Sequence, residues 1–217
     1  MTDWTPDLSQ YSPDIAAAAA KELEVVTKEP KKNLTAAEIR AMDKEAKKSY
    51  RDLISDDDDS LMGVSFAQAM ANAKERIAGV SMKGLDSDEK ALIAGYTAEY
   101  ADQGGGWLYK VNSELRNADL SEPSSFTMKI KTALTNALRK APKYIDEKPL
   151  VREIQIAPEQ VEAVLDAQFK VGTKGEFKGF TSTTRRQDGA GFGNVKLIIN
   201  NHSGRGVNVQ KLSAEAD

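Results

Sequence analysis

Residues 149–156 read PLVREIQI, and the period of this stretch decides the fold. Apolar Leu150, Val151, Ile154 and Ile156 recur around polar neighbours in the two-residue rhythm of a half-buried strand rather than the 3.6-residue rhythm of a helix. Everything upstream of Pro149 keeps the helical period, and everything downstream is dominated by the strand period. Helices followed by strands, rather than strand–helix–strand alternation, predict an α+β domain.

Upstream, LTAAEIRAMDKEAKKSYRDLI reads as a helix opened by Thr35, with Glu38 three positions on to complete a capping box. FAQAMANAKERIAGV from Phe66 is a second helix. DSDEKALIAGYTAEYA is a third, with Asp86 or Ser87 as its cap and acids in its first turn. GGGWLYKVNSELRNADL supplies a fourth after a glycine triplet read as flexible, and SSFTMKIKTALTNALRKA a fifth ending before Pro142. Tyr96, Tyr100, Trp107 and Tyr109 are expected to pack these helices together.

The first 60 residues are alanine- and charge-rich with thin apolar stripes, and the run SDDDDS (55–60) repels itself enough to favour a solvated linker. The chain is therefore expected to divide into a helical segment, 1–60, and a domain, 61–217. A calcium loop at the acidic run fails on two positions: Leu61 stands where the turn glycine belongs and Ala67 where the terminal glutamate belongs.

Downstream of Arg152, GFTSTT (179–184) is β-branched and aromatic, NVKLIIN (194–200) is a near-continuous apolar strand, and GVNVQKL (206–212) alternates again. Between the first two lies RRQDGAGFG, two arginines and a glycine-rich run ending around Phe192. It lacks the third glycine and the strand–helix–strand setting of a dinucleotide-binding turn. Arg152 has two readings. Either it sits at a sheet edge paired with Glu153 or another acid, or its planar guanidinium projects into a cleft and holds phosphate or ribose oxygens.

Composition narrows the chemistry. The 217 residues include no cysteine and one histidine, His202, and carry a net charge of -3. Disulfides, zinc–thiolate centres and cysteine nucleophiles are excluded, and a histidine-based triad or a multi-histidine metal site is disfavoured, so no metal is expected. A near-neutral balance gives no electrostatic reason to expect nucleic acid or a membrane surface as partner. The N-terminal sequence shows neither the basic nor the apolar region of a secretory signal, and no apolar run is long enough for a membrane span. His202 reads as a turn residue beside Ser203 and Gly204.

The succession of a helix with Asn112, Leu115 and Arg116 in VNSELR, a strand with Arg152, the aromatic-x-Ser-Thr-Thr run from Phe180 to Thr184, and the Gly206–Ser213 run ending in Leu-Ser resembles the mono-ADP-ribosyltransferases of the arginine–serine–glutamate class, of bacterial toxin and bacteriophage type. The likeness covers about residue 86 onward. It implies a mixed β-sheet core behind a helical half, and a reaction that splits NAD between nicotinamide and ribose and passes ADP-ribose to a host protein, with arginine the expected acceptor. An NAD glycohydrolase and a non-catalytic virion or effector component keeping the fold are the alternatives.

The resemblance also implies roles. Arg152 would anchor the phosphate and ribose side of NAD, with Asn112 on the same cleft. Ser182 would bond the nicotinamide-side ribose and orient the catalytic glutamate, supported by Thr183 and Thr184. Arg185 and Arg186 would reach the diphosphate, glycines 189, 191 and 193 would let the backbone approach, and Phe192 would stack on nicotinamide. The family's glutamate strand follows the Leu-Ser; here KLSAEAD places Glu215 nearest that role, without the turn and strand that hold it in relatives, so a longer encoded chain is expected. Residues 1–60 would serve delivery, packaging or docking to a virion or secretion machine, and the enzyme would act in a host cell's cytoplasm.

Overall fold

The computed structural model describes residues 34–56, 60–61, 63–117, 121–144, 149–169, 179–186, 193–199 and 206–213. Helix α1 (Ala36–Ile54) begins at Thr35, whose hydroxyl accepts from the Glu38 N–H at 3.2 Å while Glu38 accepts from the Thr35 N–H at 2.7 Å. The two orphan donors at this end are thereby satisfied reciprocally. Ala46, Ser49, Tyr50 and Leu53, spaced 3, 1 and 3 apart, form its buried face.

A two-residue hairpin, β1 (Ser60–Leu61) against β2 (Val64–Ser65), leads into α2 (Phe66–Arg76), capped by Ser65. Asp86 and Glu89 form a second capping box at the start of α3 (Ser87–Tyr96). Its residues 91–95 are all buried, so this helix runs through the core instead of along its surface. Helix α4 (Leu108–Arg116) buries Val111, Asn112 and Leu115. Helix α5 (Ser125–Lys140) starts at Ser124 and buries Phe126, Ile130, Leu134 and Ala137 among others.

These helices share one core. Phe66 is its centre, in edge-to-face contact with Tyr50, Trp107 and Phe126 at centroid distances of 6.5, 6.3 and 5.7 Å. Helix α1, within the stretch read as an N-terminal segment, contributes Tyr50 and Leu53 to this same core and packs along α5, where Asp43 accepts from Asn136 at 2.9 Å and pairs with Arg139 at 3.2 Å.

The chain then changes character, as the period at 149–156 predicts. Strand β4 (Leu150–Ile154) pairs antiparallel with β5 (Val195–Ile199), Arg152 opposite Leu197. β3 (Lys143–Tyr144) pairs antiparallel with β6 (Gly206–Val207). The α+β class is what the described residues show; their strands form separate two-stranded antiparallel ladders rather than one mixed sheet.

Three sequence expectations need correction. GFTSTT is not a strand: only Thr184 bridges to Val151, each donating its N–H to the other's carbonyl at 2.8 Å, and residues 181–183 are exposed. GVNVQKL is a two-residue strand followed by a 3-10 turn at Gln210–Leu212, whose Leu212 is fully buried. A short helix, α6 (Val161–Gln168), went unread. Its half-buried Val161, Val164 and Leu165 have helical spacing, and Pro158 opens the 3-10 turn before it.

The glycine triplet is a rigid corner rather than a flexible joint. Gly104 and Gly106 both have φ of 88°, where side chains are strained, and a Cβ on Gly105 would lie 2.0 Å from the Ala98 carbonyl oxygen. Hydrogen bonds from Gly105 N to Tyr100 O (2.9 Å) and from Gly106 N to Ala98 O (3.2 Å) close the corner. It delivers Trp107 into the core and sets the direction of α4.

Candidate functional site

Helix α4 presents Asn112 and Arg116 one turn apart, on one face. Asn112 is 6% exposed, and its amide is used at both ends: Oδ1 accepts from the Phe180 backbone N–H at 2.8 Å, and Nδ2 donates to the Tyr96 hydroxyl at 3.3 Å. The Phe180 ring meets Tyr96 edge-on at 5.5 Å. One buried amide thus ties the end of α3, the middle of α4 and the start of the 180–184 segment together.

Approach at this seam is close. A Cβ on Gly179 would lie 2.8 Å from Asn112 Oδ1, so glycine lets the segment reach α4. From there the chain runs antiparallel past β4, where Arg152 donates from Nη1 to the Ser182 carbonyl at 2.7 Å. Its Nε–H is enclosed without a hydrogen-bond partner among the described residues. Neither Arg152 nor Arg116 has an ion pair among the described residues.

These residues border an open cleft of about 510 Å³, lined by Tyr96, Tyr109, Asn112, Arg116, Arg152, Phe180 and Ser182 among others. That volume lies within the range of about 300–1,000 Å³ usual for small-molecule sites. Among the described residues two arginines line it and no carboxylate does. Burial, and then the charge of Arg116, pulls the Arg152 guanidinium below its ordinary value, yet an arginine stays cationic at neutral pH. Two like charges held together in a partly dry cleft make a site for an anion with several oxygens.

The sequence-derived residues divide. Asn112, Arg152 and Ser182 converge on the cleft. Thr184 holds the segment to β4, and Thr183 is exposed. Arg185 does not line the cleft; its guanidinium lies over the Tyr144 ring, 5.8 Å from the centroid. Arg186 donates its N–H to the Thr184 hydroxyl at 3.1 Å, and Gly193 sits tightly against Ile154. Phe192, Glu215, His202, Gly189 and Gly191, with residues 1–33, lie outside the described residues.

Sequence reading gave no role to Arg116, which the α4 spacing from Asn112 could have supplied. Of the aromatic residues expected to pack helices, Trp107 is fully buried, whereas Tyr100 and Tyr109 are 54% and 64% exposed. Tyr109 lines the cleft and donates to Glu99 at 3.0 Å.

A second cavity, about 290 Å³, opens between α1, α3 and α5 beside Tyr50 and Leu92. Two of its carboxylates are occupied, Asp88 by Lys74 and Glu89 by Lys140, each at 2.6 Å. Among the described residues no three acidic or histidine side chains group to hold a metal, and no helix is long and apolar enough to cross a membrane.

Comparison of the chain with protein-family models, with curated proteins and with solved structures finds no match.

Proposed function

We propose that the chain is an NAD-dependent mono-ADP-ribosyltransferase with its nucleotide cleft between α4 and β4. The observation that carries the reading is the meeting of Arg116 and Arg152 in one cleft with Asn112, Phe180 and Ser182. Those residues come from three separate stretches of sequence, 112–116, 152 and 180–182, so their convergence is not a consequence of sequence proximity.

The chemistry follows from what each group can do. The guanidinium groups take the diphosphate of NAD, and their charge offsets its two negative charges. The aromatic wall of Phe180 and Tyr96 accepts a flat ring. The hydroxyl of Ser182, on an exposed residue beside Arg152, is available to ribose. The bond between nicotinamide nitrogen and ribose C1′ breaks with its electron pair leaving on neutral nicotinamide. C1′ passes through an oxocarbenium-like state, and an acceptor nitrogen of the host protein attacks it and loses a proton. A carboxylate must stabilise that state, and by position Glu215 or a later residue would supply it.

A non-catalytic module retaining the cleft is the second reading, favoured by one observation: among the described residues no carboxylate lines the cleft. Incubating the protein with NAD labelled on adenine, with a cell lysate as acceptor source, separates the readings. Label on protein supports transfer, free ADP-ribose alone supports a glycohydrolase, and intact NAD with retained binding supports the module.

A further inference from the structure

Arg76, in the last turn of α2, does not line the cleft but makes three hydrogen bonds to backbone carbonyls. Its Nε donates to the Gln103 carbonyl at 3.1 Å, Nη1 to the Leu212 carbonyl at 3.1 Å, and Nη2 to the Ala94 carbonyl at 2.8 Å. Three carbonyls from three separate segments converge on one planar fork. The ammonium of lysine is a single point and cannot span them. Partial burial lowers the pKa of this guanidinium, and Ala94, in the final turn of α3, offers the negative end of that helix to it.

Each of the three segments leads to the cleft. Ala94 is two residues before Tyr96, which accepts from Asn112. Gln103 opens the glycine corner that aims α4, and with it Asn112 and Arg116. Leu212 is the fully buried end of the Gln210–Leu212 turn, and its carbonyl also faces the Thr97 hydroxyl at 3.5 Å. Arg76 therefore holds together the end of α3, the corner before α4 and the buried Gln210–Leu212 turn.

We propose that Arg76 is the positioning residue of the cleft: by joining these three carbonyls it holds α4 in the register at which Asn112 receives the Phe180 N–H and Arg116 stands beside Arg152. As a statement about NAD, this rests on the function proposed above; as a statement about cleft geometry, it does not.

Amide hydrogen exchange on the full chain, comparing wild type with Arg76→Met, tests it. The expected result is exchange at least tenfold faster at Gly105, Gly106 and Ser213, and also at Phe180, which Arg76 does not touch, with α1 amides unchanged. A merely structural role would leave the Phe180 amide as in wild type or speed all amides by a common factor, and either result overturns the proposal. Should Arg76→Met not fold, Arg76→Lys, which keeps the charge but not the fork, is judged by the same pattern. NAD titration of the same proteins is read separately. If wild type binds NAD, the variant is expected to bind it at least tenfold more weakly, and equal affinity overturns the proposal. If wild type binds none, the transferase reading falls and the Phe180 amide alone decides the role of Arg76.

Discussion

The Phe180 backbone N–H donates to Asn112 Oδ1 at 2.8 Å, across 68 residues of sequence, and this bond joins the helical half of the molecule to its strand half at the wall of the cleft. Replacing Asn112 with alanine leaves the Phe180 N–H and the Tyr96 hydroxyl without this partner. The expected cost is about 1–3 kcal/mol for the unsatisfied groups. At about 2–4 °C per kcal/mol for a chain of this size, calorimetry should record a Tm lowered by several degrees. A variant melting with the wild type would show that water replaces the amide without loss.

The glycine corner predicts an ordering. Gly105→Ala must move the Ala98 carbonyl, 2.0 Å from the new Cβ, whereas Gly63→Ala meets nothing within 4 Å and pays only for its φ of 85°. Gly63→Ala should cost about 1 kcal/mol, and Gly105→Ala several times that or failure to fold. Chemical denaturation measures both, and equal effects would mean the corner yields as a flexible joint would.

Acid sensitivity should reside partly in Glu114. Partial burial works to raise its pKa, but the Ser124 hydroxyl (2.6 Å) and N–H (2.7 Å) donate to its carboxylate, aided by Thr127 and Lys110, and hold it below the ordinary 4.5. Because folding lowers this pKa, the unfolded chain binds the proton more tightly. The stabilisation is complete above about pH 4.5 and is lost as pH falls through the folded-state value. Glu114→Gln should therefore narrow the difference in Tm between pH 6 and pH 4. An unchanged difference would remove Glu114 from the account.

Helix α1 belongs to the core through Leu53, which is fully buried. Leu53→Ala should cost about 2–5 kcal/mol and lower one cooperative transition by calorimetry. A separate low-temperature transition for α1, with the main one unmoved, would support the division at residue 60.

Much of this was legible in sequence because it is local. The capping box at Thr35–Glu38 needs only four consecutive residues, Asp86 is one of two adjacent cap candidates for α3, and the period change at PLVREIQI marks where helices give way to strands. Asn112, Arg152 and Ser182 could be picked out through a family likeness, though their meeting in one cleft is a tertiary fact. What stayed hidden depends on contact between distant segments. Gly104, Gly105 and Gly106 read as loose until Ala73 and Ala98 press against them. GFTSTT has strand composition but ladders only at Thr184. Arg76 is unreadable because its partners are backbone carbonyls, which carry no sequence signal.

The claim that Arg152 anchors an NAD diphosphate is tested most directly by isothermal titration of NAD into wild type and Arg152→Ala, each first shown by circular dichroism to be folded. The account predicts measurable binding by wild type and loss of at least tenfold in affinity in the variant; equal affinity for the two proteins, or no binding by wild type, would contradict it.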